Sequence, residues 1–263
     1  SVFPSNTNTE YDCHQGIVLL FETEYGRPLT IIDATEITKI RTAAVSAVAT
    51  DLLARKDARE LAILGTGVEG REHLKAMLLV RKIQKVRVWD LYPEKAGQFA
   101  QEESEKYSIP VEAVATSRDA VKDADIICTT SGAREPILFG DSIKEGTHIN
   151  AVGACFSTAR ELDAEAVAKA KMFVDRRESA LNEAGDFILA KKEGTVSDGH
   201  IRGEIGDILV GSIKGRESEK EITLFESLGL AVEDIASAEY VYRKALQKGV
   251  GTSVELGGKR HGH

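Results

Sequence analysis

No apolar run in this 263-residue chain reaches the length of a membrane span, and no charged-then-apolar leader precedes the fold. The sequence therefore predicts no membrane partner and a cytoplasmic protein. Cysteine is scarce. Cys13, Cys128 and Cys155 show no C-x-x-C spacing, and their odd count fits a reducing compartment better than a disulfide framework or a metal site. Basic stripes are lacking too: 34 Lys and Arg stand against 42 Asp and Glu, and the net charge of -8 excludes a nucleic-acid surface. There is no internal repeat and no low-complexity block. What is there suffices for a full core, in one large domain or two smaller ones.

The most informative stretch is Glu60-Leu-Ala-Ile-Leu-Gly65-Thr-Gly67-Val-Glu-Gly70. An apolar strand runs into a complete G-x-G-x-x-G turn, an amphipathic helix follows over Val68–Val80, and Lys85-Val-Arg-Val-Trp-Asp90 forms a second strand ending in an acid. In such a turn the first glycine makes the bend, the second lets backbone approach a pyrophosphate, and the third lets helix pack on strand. The helix N–H groups face the anion. Asp90, twenty residues past Gly70, is placed to accept hydrogen bonds from the adenosine ribose and to repel a 2′-phosphate. Leu91 and Tyr92 follow it, so no arginine offers a phosphate partner, and NAD is favoured over NADP.

The rest of the middle alternates strand and helix: Pro93–Tyr107 helix, Val111–Ala115 strand, then strands ending near Thr129, Gly153 and Asp175. Ligands of open parallel sheets bind beyond the carboxyl ends of strands, which points Thr129, Thr130, Ser131, Asn150 and Gly153 at the crevice. Residues outside this region read differently. Ile17–Glu22 and Leu29–Asp33 form a hairpin across Gly26, and a long helix follows, with Thr35 as its cap and Ile37, Ile40, Ala44, Val48 and Leu52 on one face. Its centre is rich in small residues, and Arg41 sits beside them. Leu224–Lys248 reads as a final helical region with Leu230, Ile235, Ala238 and Val241 as core positions, and the last seven residues, with His261 and His263, read as a solvated tail.

These residues resemble the ornithine cyclodeaminase and mu-crystallin family of NAD(P)-binding proteins. The resemblance rests on Ile40-Arg-Thr-Ala-Ala-Val-Ser46, Gly65–Gly70, Thr129-Thr-Ser131, Ile149-Asn-Ala-Val-Gly153 with Arg160-Glu-Leu-Asp163, Gly215-Arg216, and Phe225-Glu-Ser-Leu-Gly-Leu-Ala231 with Asp234, in family order. It implies an α/β fold: a Rossmann-type doubly wound parallel sheet, residues 56–223, inserted in a second α+β domain for substrate binding and dimerisation, residues 1–55 and 224–263. That second domain is expected to be incomplete at its N-terminal side, since Ser1-Val-Phe-Pro reads as the middle of a strand. The resemblance also implies a homodimer and a small amino- or imino-acid substrate. Carried over residue by residue, Arg41 meets the substrate carboxylate, which suits a guanidinium fork. Gly65, Thr66, Gly67, Val68, Glu69, Gly70, Asp90, Thr129, Thr130, Ser131, Asn150, Ala151, Val152 and Gly153 contact the cofactor, and Ser227 with Leu228 lines its nicotinamide side. Cys13 and His14 fall near the family's Thr-His pair, so His14 reads as structural or catalytic.

Two departures matter. Glu69 brings a carboxylate to the pyrophosphate, which requires it to turn outward or to meet a cation such as Arg71. Cys155 stands where the cyclodeaminase pattern has a proton-relaying aspartate, and a neutral thiol is a poor general base. The expected activity is therefore an NAD-dependent reductase of a ketimine or α-imino acid, equally an amino-acid dehydrogenase, with Arg41 as clamp and Cys155 or His14 as proton donor. Two alternatives stand beside it: ornithine cyclodeaminase, with Glu161 or Asp163 in place of the missing acid, and a non-catalytic NAD(P)-binding protein of the mu-crystallin kind.

Overall fold

The computed structural model describes residues 3, 6, 9–11 and 15–255. Cys13, His14 and the predicted tail from 257 onward lie outside the described residues. In chain order the elements are β1 (Ile17–Phe21), β2 (Pro28–Asp33), α1 (Ala34–Leu53), β3 (Glu60–Leu64), α2 (Val68–Val80), β4 (Lys85–Trp89), α3 (Pro93–Tyr107), β5 (Val111–Ala113), α4 (Ser117–Val121), β6 (Ile126–Thr129), β7 (His148–Ala151), α5 (Ala164–Lys169), β8 (Lys171–Val174), α6 (Arg177–Glu183), α7 (Gly185–Lys192), β9 (Ile201–Glu204), α8 (Ile205–Leu209), β10 (Thr223–Glu226) and α9 (Ala231–Lys248). Among the described residues no helix is long and apolar enough to cross a membrane.

The larger compact unit runs from Thr42 to Gly229. Its eight strands are all parallel, in the order β5-β4-β3-β6-β7-β10-β8-β9. Strand order reverses between β3 and β6, the doubly wound arrangement that opens a crevice at that point. The central strands β3, β6, β7, β10 and β8 are buried on both faces, as a two-sided parallel sheet requires. Along β3, Leu61 and Ile63 join one core cluster with Ala43, Ala47, Leu74, Met77 and Phe99, while Ala62 and Leu64 join another with Ile149, Val167, Met172 and Phe187. The second half of α1 packs on the sheet through small residues. Ala43, Ser46, Ala47, Ala49, Thr50 and Leu53 are buried.

The smaller unit, residues up to Arg41 and from Leu230 onward, has its own core. β1 and β2 pair antiparallel, and Leu20, Ile37 and Ala238 pack together with Val18, Ile32 and Tyr242 around them.

Several expectations need correction. The helical face predicted for α1 holds at Ile37 and Leu52 but fails between them: Ile40 is 51% exposed and Val48 39%, because close packing against the sheet selects the small side chains. Asp33, rather than Thr35, supplies the capping oxygen, accepting from the Thr35 N–H at 2.8 Å. Leu224–Glu226 is not helix but the core of β10. A short, wholly buried apolar run carries no periodicity that tells strand from helix. In α9 only Ala238 is buried, while Ile235 is 54% exposed. β5 stops at Ala113, two residues early. The two compact units divide at 41/42 and 229/230, with α1 from Thr42 packed on the sheet and β10 inside it.

Candidate active site

The chain leaves β3 through Gly65, whose φ of +104° is left-handed, and a Cβ added there would lie 2.8 Å from the backbone of Thr130 and Ser131. Gly70 is required for a different reason: a Cβ there would fall on the Gly65 carbonyl oxygen. Gly67 caps α2 with no side-chain hydrogen bond, and a Cβ at Gly67 would meet nothing within 4 Å. The first turn of α2 thus presents backbone N–H groups beside an open position, the arrangement that holds an anion. Asp90 is tied into the same turn. Its Oδ2 accepts from both the Thr66 N–H and the Thr66 hydroxyl at 2.8 Å, and Oδ1 accepts from the Tyr92 N–H at 3.0 Å. Val68 is exposed at the head of the helix.

Glu69 does not meet Arg71. That guanidinium pairs with Glu102 and Glu103 at 2.8 and 2.5 Å, whereas Glu69 Oε2 lies 3.7 Å from His73 Nδ1. Burial lowers the His73 pKa to about 4, so the ring is neutral and offers no cation. α3 carries the acids that take Arg71 away, a tertiary choice that local spacing does not reveal.

Across the switch point, Thr130 donates from its N–H to Leu64 O at 2.8 Å and from its hydroxyl to Gly65 O at 2.9 Å, joining the end of β6 to the glycine turn. Thr129, Ala151 and Val152 are buried at the ends of β6 and β7. Asn150 is placed differently from expectation. Its amide donates to Thr50 Oγ1 at 2.9 Å while its oxygen meets His148 Nε2 at 3.2 Å, so the side chain serves a polar network between sheet and α1. Burial drives His148 down to about 3 and the neighbouring Cys128 thiol up to about 12, leaving both neutral. At the end of β10, Ser227 Oγ is buried with no partner among the described residues, and the Leu228 and Gly229 N–H groups donate to Asp175 Oδ2 at 2.7 Å.

The two acids that were candidates to replace the missing aspartate have other partners. Glu161 is fully buried, and both of its oxygens accept from Ser131 and Gly153. Asp163 caps α5, accepting from the Ala166 N–H at 2.7 Å and from the Gly140 N–H at 2.9 Å. Cys155 is exposed, and its thiol donates to Val152 O at 3.3 Å. Glu161 belongs to a layer of buried acids with Asp186 and Glu226, and sequence reasoning missed these other two. Burial raises all three, and like charge adds to the effect for Asp186 and Glu226; Asp186 rises to about 8. Their only signal in the sequence is an acid inside otherwise apolar or Gly-rich segments.

In the smaller unit Arg41 is 14% exposed, with Nε 3.1 Å from Asp234 Oδ1 and Nη1 3.3 Å from Glu233 Oε2. Both acids lie in the first turn of α9.

A model of the ornithine cyclodeaminase/mu-crystallin family matches residues 1–249. A Delta(1)-pyrroline-2-carboxylate reductase of Bacillus cereus is 41% identical over 257 residues, which cover 97% of this chain and 79% of that protein. Among solved structures, Thermococcus litoralis Delta(1)-pyrroline-2-carboxylate reductase in complex with NADH and L-proline superposes with a TM-score of 0.94 at 45% identity, over 96% of this chain and 78% of that one. An archaeal alanine dehydrogenase dimer with bound NAD gives 0.91 at 33% identity, over 97% and 78%. The chain belongs to the ornithine cyclodeaminase/mu-crystallin family.

Proposed function

We propose that this chain is an NAD(H)-dependent oxidoreductase that reduces a small cyclic ketimine or α-imino acid and, in reverse, dehydrogenates the amino acid. The observation that carries the reading is the Gly65–Gly70 turn at the switch point, open at Gly67, with Asp90 fixed to it through Thr66. These residues fit a dinucleotide: α2 offers unsatisfied N–H groups to a pyrophosphate, and the unpartnered Ser227 hydroxyl lies at a strand end on the other side of the crevice. The Asp90 carboxylate favours NAD and disfavours a 2′-phosphate. When bound, the cofactor supplies or takes a hydride.

The chain's own task is then orientation. A protonated imine is already electrophilic, so the site needs a carboxylate clamp and a fixed approach more than a strong base. Arg41 is the clamp, and Cys155 and His14 are the candidates for moving the nitrogen's proton. Thr129, Thr130, Ser131, the backbone of Asn150–Gly153, and Ser227 with Leu228 line the cofactor's second half. The Bacillus and Thermococcus relatives point to Delta(1)-pyrroline-2-carboxylate as the first substrate to try. Ornithine cyclodeamination is disfavoured, because Glu161 and Asp163 are held elsewhere and a thiol, Cys155, occupies the acid's place.

We assign the smaller unit to substrate binding and homodimer formation. Its hairpin exposes Ile17, Leu19, Phe21 and Ile31, and a dimeric relative supports pairing of two such faces. Cytoplasmic location goes with this reading, as the Cys128 thiol is free.

The deciding experiment follows NADH consumption with Delta(1)-pyrroline-2-carboxylate, larger cyclic ketimines, and pyruvate plus ammonia, beside an NADPH series and an assay for proline from L-ornithine. Turnover of a ketimine with NADH is the expected result. Proline from ornithine without net cofactor use would overturn it in favour of the lyase, and NADH binding without turnover in favour of a binding protein.

A further inference from the structure

Glu161 lies between β7 and α5 with no solvent exposure, yet its carboxylate takes hydrogen bonds from two separate strand ends. Oε1 accepts from the Ser131 N–H at 2.7 Å and the Ser131 hydroxyl at 2.6 Å, just past β6. Oε2 accepts from the Gly153 N–H at 2.8 Å, just past β7. The fit against Gly153 is tight, since a Cβ there would sit 2.6 Å from the Glu161 carboxyl carbon. From behind, Asp186 Oδ1 accepts from the N–H groups of both Glu161 and Leu162 at 2.8 Å. Burying a carboxylate is costly, and only several well-aimed donors offset the loss of water. A position that served packing alone would hold an apolar side chain. Here the donors are two backbone N–H groups and the Ser131 hydroxyl, on the two loops that border the crevice beyond the switch point.

We propose that Glu161 is a positioning residue for the nicotinamide half of the dinucleotide: its carboxylate fixes the spacing of the loops after β6 and β7, whereas the adenosine half depends on Gly65–Gly70 and Asp90. The inference rests on the dinucleotide reading above and assigns one residue within it. Three donors on two oxygens favour the ionised form: an amide sets its NH2 against an N–H at either end, and an acid keeps its contacts only by donating to the Ser131 hydroxyl. The charged groups that interact with Glu161 are Asp186 on α7 and Glu226 on β10; Asp175 after β8 acts on Glu226, and Arg160, which pairs with Glu193, acts on Asp186. Burial raises its pKa against the lowering effect of its hydrogen bonds, so the latch weakens as pH falls through a range higher than that of an ordinary glutamate.

The test compares wild type with Glu161→Gln, a shape-preserving stand-in for the protonated acid, by calorimetric titration with NADH and separately with 5′-AMP. The expected result is an NADH Kd raised about tenfold or more, the worth of one charge-assisted hydrogen bond, with the AMP Kd within about twofold. Wild-type NADH affinity should weaken as pH is lowered and that of Glu161→Gln should not. Equal weakening toward NADH and AMP would show a merely structural role and overturn the proposal, as would an unchanged NADH Kd. Should Glu161→Gln not fold, Glu161→Asp keeps the charge but reaches only one strand end, and the same split between NADH and AMP is expected. A wild-type chain that does not bind NADH overturns the dinucleotide reading together with this one, while normal binding with a silent variant overturns this one alone.

Discussion

Arg41 Nε donates to Asp234 Oδ1 at 3.1 Å, tying the first half of α1 to the first turn of α9. With Nη1 on Glu233, two sides of the guanidinium are held, and Nη2 has no partner among the described residues. A planar fork fixed on two sides is pre-oriented for a third acceptor, here the proposed substrate carboxylate. Arg41→Ala is expected to raise the KM for the imino acid by roughly ten- to a hundredfold, the worth of a charged hydrogen bond. Asp234→Asn should raise it by about threefold, in keeping with a partly exposed pair. NADH Kd should not move in either variant, and steady-state kinetics with a binding titration checks both.

The glycine turn separates folding from ligand contact. Gly70→Ala puts a methyl group on the Gly65 carbonyl, and backbone cannot yield cheaply, so a loss of about 1–3 kcal/mol in stability is expected along with cofactor binding. Gly67→Ala meets no protein atom within 4 Å and has an ordinary φ of -73°. Its melting temperature should match wild type while NADH affinity falls. Thermal melts with and without NADH distinguish the two.

Asp186 holds its proton to about pH 8 in the folded state, because it is buried beside Glu161. The unfolded chain releases that proton near the ordinary aspartate value, so the folded state binds more protons over this interval and stability falls as pH rises from about 4 toward 8. Asp186→Asn keeps an oxygen for the Glu161 and Leu162 N–H groups and cannot ionise. Its denaturation midpoint should decline less between pH 6 and 8 than that of wild type; parallel curves would refute the assignment.

Cys155 is exposed and its thiol donates to a backbone carbonyl. Cys155→Ser keeps a donor of similar reach, and ketimine turnover should stay within about threefold of wild type. A loss of about a hundredfold or more, the scale of general acid–base catalysis, would instead place the thiol in the proton transfer.

The sheet was legible wherever a strand led into a glycine turn or an acid: β3, β4, β6, β7 and β8 fall where alternation and breakers put them. β10 was not, since Thr223–Glu226 is buried on all sides and only its slot between β7 and β8 defines it. The α1 face failed for a related reason. Apolar spacing marks a stripe, but how closely the helix approaches the sheet decides whether Ala43 and Ala47 or Ile40 and Val48 are buried. At the site, Gly65 and Gly70 were readable because backbone geometry demands a glycine at each. The Ser131–Glu161 contact and the Asn150–Thr50 contact join residues far apart in the chain and leave no local pattern.

β10 has one more consequence, for the order in which the molecule is made. The strand that fills the gap between β7 and β8 is the last of the eight to leave the ribosome, after β9 has already been synthesised. Until residue 226 emerges, β7 and β8 each present an unpaired edge in the interior of the future sheet, and their apolar runs are open to pairing with other chains. A nascent chain halted before Thr223 is thus a split sheet exposed to aggregation, and the gene segment after that point is a folding element before it is anything else.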